Sequence, residues 1–233
     1  MNRIIFNLLI TNVLISSSVI GQSIIGVDGL ISVPTAYIVR DGSISVGVYF
    51  INKEYSVLEK GKRHNIRNNI TISFLPFWEI SLILNNLLNS SDPNQGIGDR
   101  MISTKFTIIN EFNYYLAIAI GFHDILTSSS QYLTSRENAA YIVASKSYCI
   151  ENFIFGFSVG HGWDLMNAGG YKFLGLFGGI DLKYAKTFSI LVEYDAERFN
   201  GGIKLIMFDH VTLLIGLMNL ASWNGGVSFN FQL

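Results

Sequence analysis

From Gly42 onward, apolar residues alternate with small or polar ones at a period of two. Ile44, Val46, Val48 and Phe50 alternate with Ser43, Ser45, Gly47 and Tyr49, which gives a β-strand one apolar face and one small or polar face. Ile70, Ile72 and Phe74 oppose Asn69, Thr71 and Ser73; Leu116, Ile118, Ile120 and Phe122 oppose Tyr115, Ala117, Ala119 and Gly121. Phe153, Phe155, Phe157 and Val159 repeat the pattern, and Val227, Phe229, Phe231 and Leu233 end the chain on it. Read through, the alternation predicts twelve strands, at 43–51, 68–75, 79–86, 101–109, 114–122, 140–147, 152–160, 174–183, 187–194, 201–208, 211–218 and 224–233. In 140–147 neither face is clearly the apolar one.

The connections alternate as well. Segments 52–67, 87–100, 123–139 and 161–173 are long and polar, whereas 76–78, 110–113, 148–151, 184–186 and 209–210 are tight. An even number of antiparallel strands, short turns at one end and longer loops at the other is the layout of a bacterial outer-membrane barrel. The other all-β solution, a soluble sandwich or lipocalin-like barrel, turns its polar face to water. Here that face is rich in Gly, Ala and Ser and poor in charge, which suits a lumen better. The expected fold is therefore an all-β, transmembrane antiparallel barrel of about 12 strands spanning 42–233. Aromatics near strand ends, Tyr49, Phe77, Trp78, Tyr114, Tyr148, Tyr184 and Phe208 among them, suit interfacial girdles.

Composition agrees with this. The chain is 49% apolar but only 14% charged, where a soluble domain carries about 25% charge. Mean hydropathy is +0.36. Net charge is −1, so no global field recruits nucleic acid. Residues 1–21 begin with Arg3, continue through an apolar stretch and end on Val19 and Gly21 before Gln22, the layout of a signal peptide. Residues 22–41 are too short for a domain, and Pro34 argues against a central strand. This segment is expected in the lumen or over the periplasmic mouth. Cys149 is the single cysteine, so no intramolecular disulfide can form and a lipid anchor near Gln22 is not expected.

With the apolar face toward lipid, Lys105, Lys146, Asp181, Glu193 and Lys204 are expected to face the lumen, because a lysine at the bilayer midplane costs about 2–4 kcal/mol. They would either pair as a structural ladder or line a solute path. Tyr132, Trp163 and Tyr171 are loop aromatics able to stack on sugar rings. His64, His123, His161 and His210 have no metal-like partner at i+2 or i+4, so neither a metal nor another cofactor is expected. Ser158 and His161 raise a weaker hydrolase reading that lacks a locatable third residue.

Several short motifs resemble the YjbH-like outer-membrane family associated with exopolysaccharide and capsule production. They are Gly29-Leu30-Ile31 with Pro34-Thr35-Ala36 and Asp41-Gly42; Gly96-Ile97-Gly98-Asp99 with Lys105; and Ala119-Ile120-Gly121-Phe122-His123-Asp124. Tyr141 to Lys146, Phe177-Gly178-Gly179 and Glu193-Tyr194-Asp195 continue the likeness in the same order. The resemblance implies a non-catalytic outer-membrane barrel taking part in exopolysaccharide export or assembly. Its expected partners are outer-membrane lipid and lipopolysaccharide, the barrel-assembly machinery, and exopolysaccharide with its export proteins. Typical members of that family are longer and lipid-anchored. A small-solute channel is the alternative of a different class, distinguished by a conductance that glycans do not affect.

Overall fold

The computed structural model describes residues 21–56, 63–88, 99–125, 137–165 and 173–233. Its strands are β1 (Ser43–Ile51), β2 (Asn65–Leu75), β3 (Trp78–Leu87), β4 (Asp99–Ile109), β5 (Ala117–His123) and β6 (Ala139–Ile150), followed by β7 (Phe153–Asp164), β8 (Gly175–Tyr184), β9 (Phe188–Tyr194), β10 (Phe199–Met207), β11 (Val211–Met218) and β12 (Ser222–Gln232). All pair antiparallel with their chain neighbours, and β12 pairs with β1 to close the barrel. Closure leaves no unpaired sheet edge, which a bilayer would not tolerate. The expected twelve strands are all present, and most run one to four residues further than the alternation indicates.

The barrel is apolar outside, and its inner face is largely polar except where Tyr141, Val143, Phe177, Leu191 and Leu214 form a buried apolar side. Val46, Ile70, Ile142, Val159, Ile190 and Ile215 belong to an exposed band that runs round the whole circumference. A belt of that extent is far larger than the few hundred Å² of apolar patch a soluble monomer shows, and it matches the lipid-facing band of a membrane barrel. The short-turn rim carries exposed Phe77, Tyr114, Tyr115, Tyr148, Phe153, Tyr184 and Phe208, and the opposite rim carries Trp163, Phe199 and Trp223. Two aromatic girdles result. At the second, Phe50 stacks on Trp223 at 4.5 Å.

Three details differ from the sequence reading. Tyr49 is fully buried and donates from its hydroxyl to the Gln22 carbonyl, so it belongs to the lumen and not to a girdle. Its parity, opposite to Val48 and Phe50, dictates this. Trp163 is not in a loop: β6 and β7 stay paired out to Ala139 and Asp164, and Trp163 lies on the outer face of β7 against the His161 ring at 4.8 Å. Gly162, in a stretch read as loop, is like Gly160 an inward position of β7, where a β-carbon would collide with the Phe173 carbonyl and with Phe177 respectively. Tyr132 and Tyr171 lie outside the described residues, as does the leader up to residue 20.

Candidate functional site: a plugged lumen

The chain from Gly21 to Arg40 folds inside the barrel. Ile24, Ile25, Val27, Leu30, Ile31, Val33 and Ala36 are all at most 3% exposed. The segment forms bridges from Gln22 to Asp28 and from Gly29 to Pro34, and Ile24 N–H donates to the Ile31 carbonyl. It thus satisfies part of its own backbone, as a buried irregular segment must. The barrel wall supplies the rest.

Four charged inward residues, Glu79, Lys105, Glu193 and Lys204, grip this plug. Glu193 of β9 accepts from the backbone N–H groups of Ile31, Ser32 and Val33 at 2.9–3.1 Å, from the Ser32 hydroxyl, and from Asn200 Nδ2 of β10 at 3.1 Å. Lys204 of β10 donates to the carbonyls of Gly21 and Gly29, both at 2.8 Å. Lys105 of β4 pairs with Glu79 of β3 at 2.8 Å and donates to the Asp28 carbonyl at 2.8 Å. Glu79 in turn accepts from Asp28 N–H and Val39 N–H. Thr107, Ser73 and Ser145 add bonds to Ala36 and Val39. Charge-assisted bonds of this kind contribute about 1.5–3 kcal/mol each.

Packing follows the same plan. The tip of the plug, Leu30-Ile31, sits over glycines of the wall: a β-carbon on Gly216 would lie 2.7 Å from Ile31 Cγ2, and one on Gly202 would lie 2.9 Å from Ile31 Cδ1. These glycines make room for the tip. Gly216→Ala is therefore expected to destabilise the closed barrel by about 1–3 kcal/mol, with Ile31→Ala restoring part of the loss. Thermal scans of heat-modifiable gel migration on both variants check this.

Asp181 of β8 also points inward and pairs with Lys183 at 3.1 Å. Between the plug and β8 to β10, a cavity of about 30 Å³ touches Asp28, Asp181, Lys183 and Lys204. At this level the barrel is filled.

Lys146 corrects the sequence reading. It lies on the outer face of β6, on the parity of Ile142 and Ala144, while its neighbour Ser145 faces the lumen and bonds Ser158 at 2.8 Å. Its ammonium is covered by the turn between β4 and β5, pairing with Glu111 at 3.0 Å and donating to the carbonyls of Asn113 and Tyr115. Burial pushes Glu111 up, but the bonds from Tyr37, Lys146 and Ser147 outweigh it and hold its carboxyl below the usual range. Ser158 and His161 sit on opposite faces of β7, so the two do not share a site.

A second buried network, absent from the sequence reading, lies nearer the long loops. Arg67 of β2 pairs with Glu137, which also takes His123 Nε2 at 3.2 Å, and His123 Nδ1 contacts the Ser103 hydroxyl. Burial alone would raise the Glu137 carboxyl. The Arg67 charge and the bonds from His123 and Arg67 overcome that and hold it below its ordinary value. A depressed carboxylate stabilises the fold fully above its unfolded value near 4.3 and loses that contribution as pH falls through the lower folded value. Acidification from about pH 5 to pH 3 is thus expected to lower the unfolding temperature, and Glu137→Gln should flatten that dependence. A pH series of thermal gel shifts measures it. Among the described residues no group of three His, Cys, Asp or Glu is placed to hold a metal.

A family model described as exopolysaccharide biosynthesis protein YbjH matches residues 21–173. The chain belongs to this family. The YjbH match begins with the plug and extends through β7, so the plug is part of what the family shares and not an appendage. The fold is also similar to the KdgM porin, with 14% identity and a TM-score of 0.50 over 82% of this chain and 99% of that one. An outer-membrane channel from Pseudomonas putida F1 is 11% identical, with a TM-score of 0.45 over 84% of this chain and 97% of that one. A comparison with curated proteins gives no match.

Proposed function

We propose that this YjbH-family protein is a non-catalytic outer-membrane component of exopolysaccharide export or assembly, closed at rest by its own plug. The observation that carries this reading is that the family match includes the plug together with β1 to β7, among which Glu79 of β3, Lys105 of β4 and Ser145 of β6 hold it. The apolar belt and twin girdles support placement in the outer membrane, with short turns toward the periplasm. An export leader then ends short of Gly21, whose carbonyl Lys204 holds, one residue before the bound expected from the sequence, and β12, with Val227, Phe229 and Phe231, acts as the strand the assembly machinery reads. Lipopolysaccharide would meet the outer half of the belt. The polymer and its export proteins would meet the two mouths.

Deleting the gene is expected to remove surface exopolysaccharide while polymer accumulates inside the cell, with recovery on complementation. Unchanged surface polymer would sink the reading. The porin-like fold favours a second reading, a small-solute channel. It predicts steady conductance of the native protein in planar bilayers, whereas a plugged export component is expected to be nearly silent.

A further inference from the structure

The two sides of the lumen treat the plug differently. On β3, β4, β9 and β10 the charged groups are saturated by plug backbone. On the wall formed by β12, β1, β2 and the far half of β3, several neutral polar groups find no partner. Ser45 Oγ, Asn65 Oδ1, Asn69 Oδ1, Asn85 Oδ1 and Asn224 Nδ2 are buried without a hydrogen-bond partner, on residues that are all at most 2% exposed. Asn65 and Asn224 use their other amide atoms on the Ser56 hydroxyl at 2.9 Å and the Asn52 N–H at 2.7 Å, and the plug arm Gln22 to Gly26 meets this wall at Tyr49, Asn69 and Thr71. Gln22 bonds Thr71 at 2.7 Å, the Gly26 carbonyl accepts from Thr71, and Asn69 reaches the Ile24 carbonyl only at 3.5 Å. The neighbouring plug side chains, Ile24 and Ile25, are apolar.

Buried polar groups are almost always paired, so a cluster of unpaired ones calls for an explanation. These atoms run as a stripe. Ser45 lies opposite Thr71 and Asn85 opposite Arg67, so from Asn65 to the level of Thr71 the row extends about 20 Å at 3.3 Å per residue. It consists of amides and hydroxyls, which offer both donors and acceptors. Its single cation, Arg67, is engaged by Glu137. Such a surface matches neutral hydroxyls better than carboxylates.

We infer that this wall is a binding surface for an uncharged, hydroxyl-rich saccharide strand, which replaces the Gln22–Gly26 arm of the plug. The inference rests on the export reading and adds the substrate class. Closed, Ser45 and Asn69 beside the arm keep unpaired oxygens; with a glycan in the arm's place, these gain partners.

The test uses Ser45→Ala, Asn69→Leu and Asn85→Leu in the full-length protein. Removing unsatisfied polar atoms is expected to raise the unfolding temperature by a few degrees and to lower surface exopolysaccharide several-fold. Destabilised variants would make the residues structural and overturn the inference. Stabilised variants with undiminished export would make them packing defects and overturn it equally. An independent arm separates it from the export reading: calorimetry with maltoheptaose and an oligogalacturonate of equal length, on protein loosened by Glu193→Ala. Maltoheptaose is expected to bind, at least about tenfold more weakly after Asn69→Leu and Asn85→Leu, which is a loss of about 1.4 kcal/mol. Tighter binding of the galacturonate, or no maltoheptaose binding, defeats the inference even where gene deletion abolishes export. Conversely, maltoheptaose binding can hold where gene deletion leaves export intact.

Discussion

Deletion of residues 24–39 is expected to turn a nearly silent barrel into a conducting one. Planar bilayers with the native protein should show little current, and the deletion should give discrete openings. The plug is an insert rather than part of the barrel wall, so the ladder from β1 to β12 does not depend on it. Water entering the vacated lumen would solvate Glu79, Lys105, Glu193 and Lys204, which now rely on plug backbone and on one another. Glu193→Ala should reproduce part of the effect, since it removes an acceptor serving three successive backbone N–H groups and the Ser32 hydroxyl. Flickering openings in Glu193→Ala, fewer than in the deletion, are the expected order. Conductance in the native protein equal to that of the deletion would show that the plug does not close the path.

The same plug explains what the sequence made legible and what it hid. Alternation reveals strands when one face is uniformly apolar and the other uniformly polar, as on β1, where Ser43, Ser45 and Gly47 face a polar wall. It fails where the hydrophobic side of the plug packs. Tyr141 and Val143 on β6, Phe177 on β8, Leu191 on β9 and Leu214 on β11 are inward, apolar and buried with Leu30, Ile31 and Val33. On β6 both faces therefore look apolar, its parity is ambiguous, and Lys146 was assigned to the wrong side. Asp181, Glu193, Lys105 and Lys204 do point inward, because on their strands the charge itself marks the inner face. Arg67 and Glu137 fall in stretches that read as loops, Glu79 opens its strand, and His123, visible as a histidine, has no sequence neighbour that marks its buried partners. A basic residue two positions before the first strong alternation of β2 was the one available signal. That the wall grips backbone N–H and carbonyl groups of residues 21–39 could not be read at all, since a backbone partner leaves no mark in side-chain pattern.

The largest single-site loss of stability is expected at Glu79→Leu. Glu79 and Lys105 are both 0% exposed and 2.8 Å apart, and removing one partner of a buried pair costs about 3–5 kcal/mol because the other charge is left uncompensated. For a chain of this size that is roughly 6–20 °C in unfolding temperature. Lys105 would keep only the Asp28 carbonyl, and the N–H groups of Asp28 and Val39 would lose their acceptor. Combining Glu79→Leu with Lys105→Met should recover much of the loss, because an apolar pair of similar volume carries no buried charge. Recovery should stay incomplete, since the two plug N–H groups remain unpaired. The double-mutant cycle therefore separates the ion pair from its hold on the plug: the coupling energy reports the pair, and the residual deficit reports the anchorage. Strictly additive single losses would mean the pair is not coupled. Full recovery would mean that Asp28 and Val39 draw no stability from Glu79.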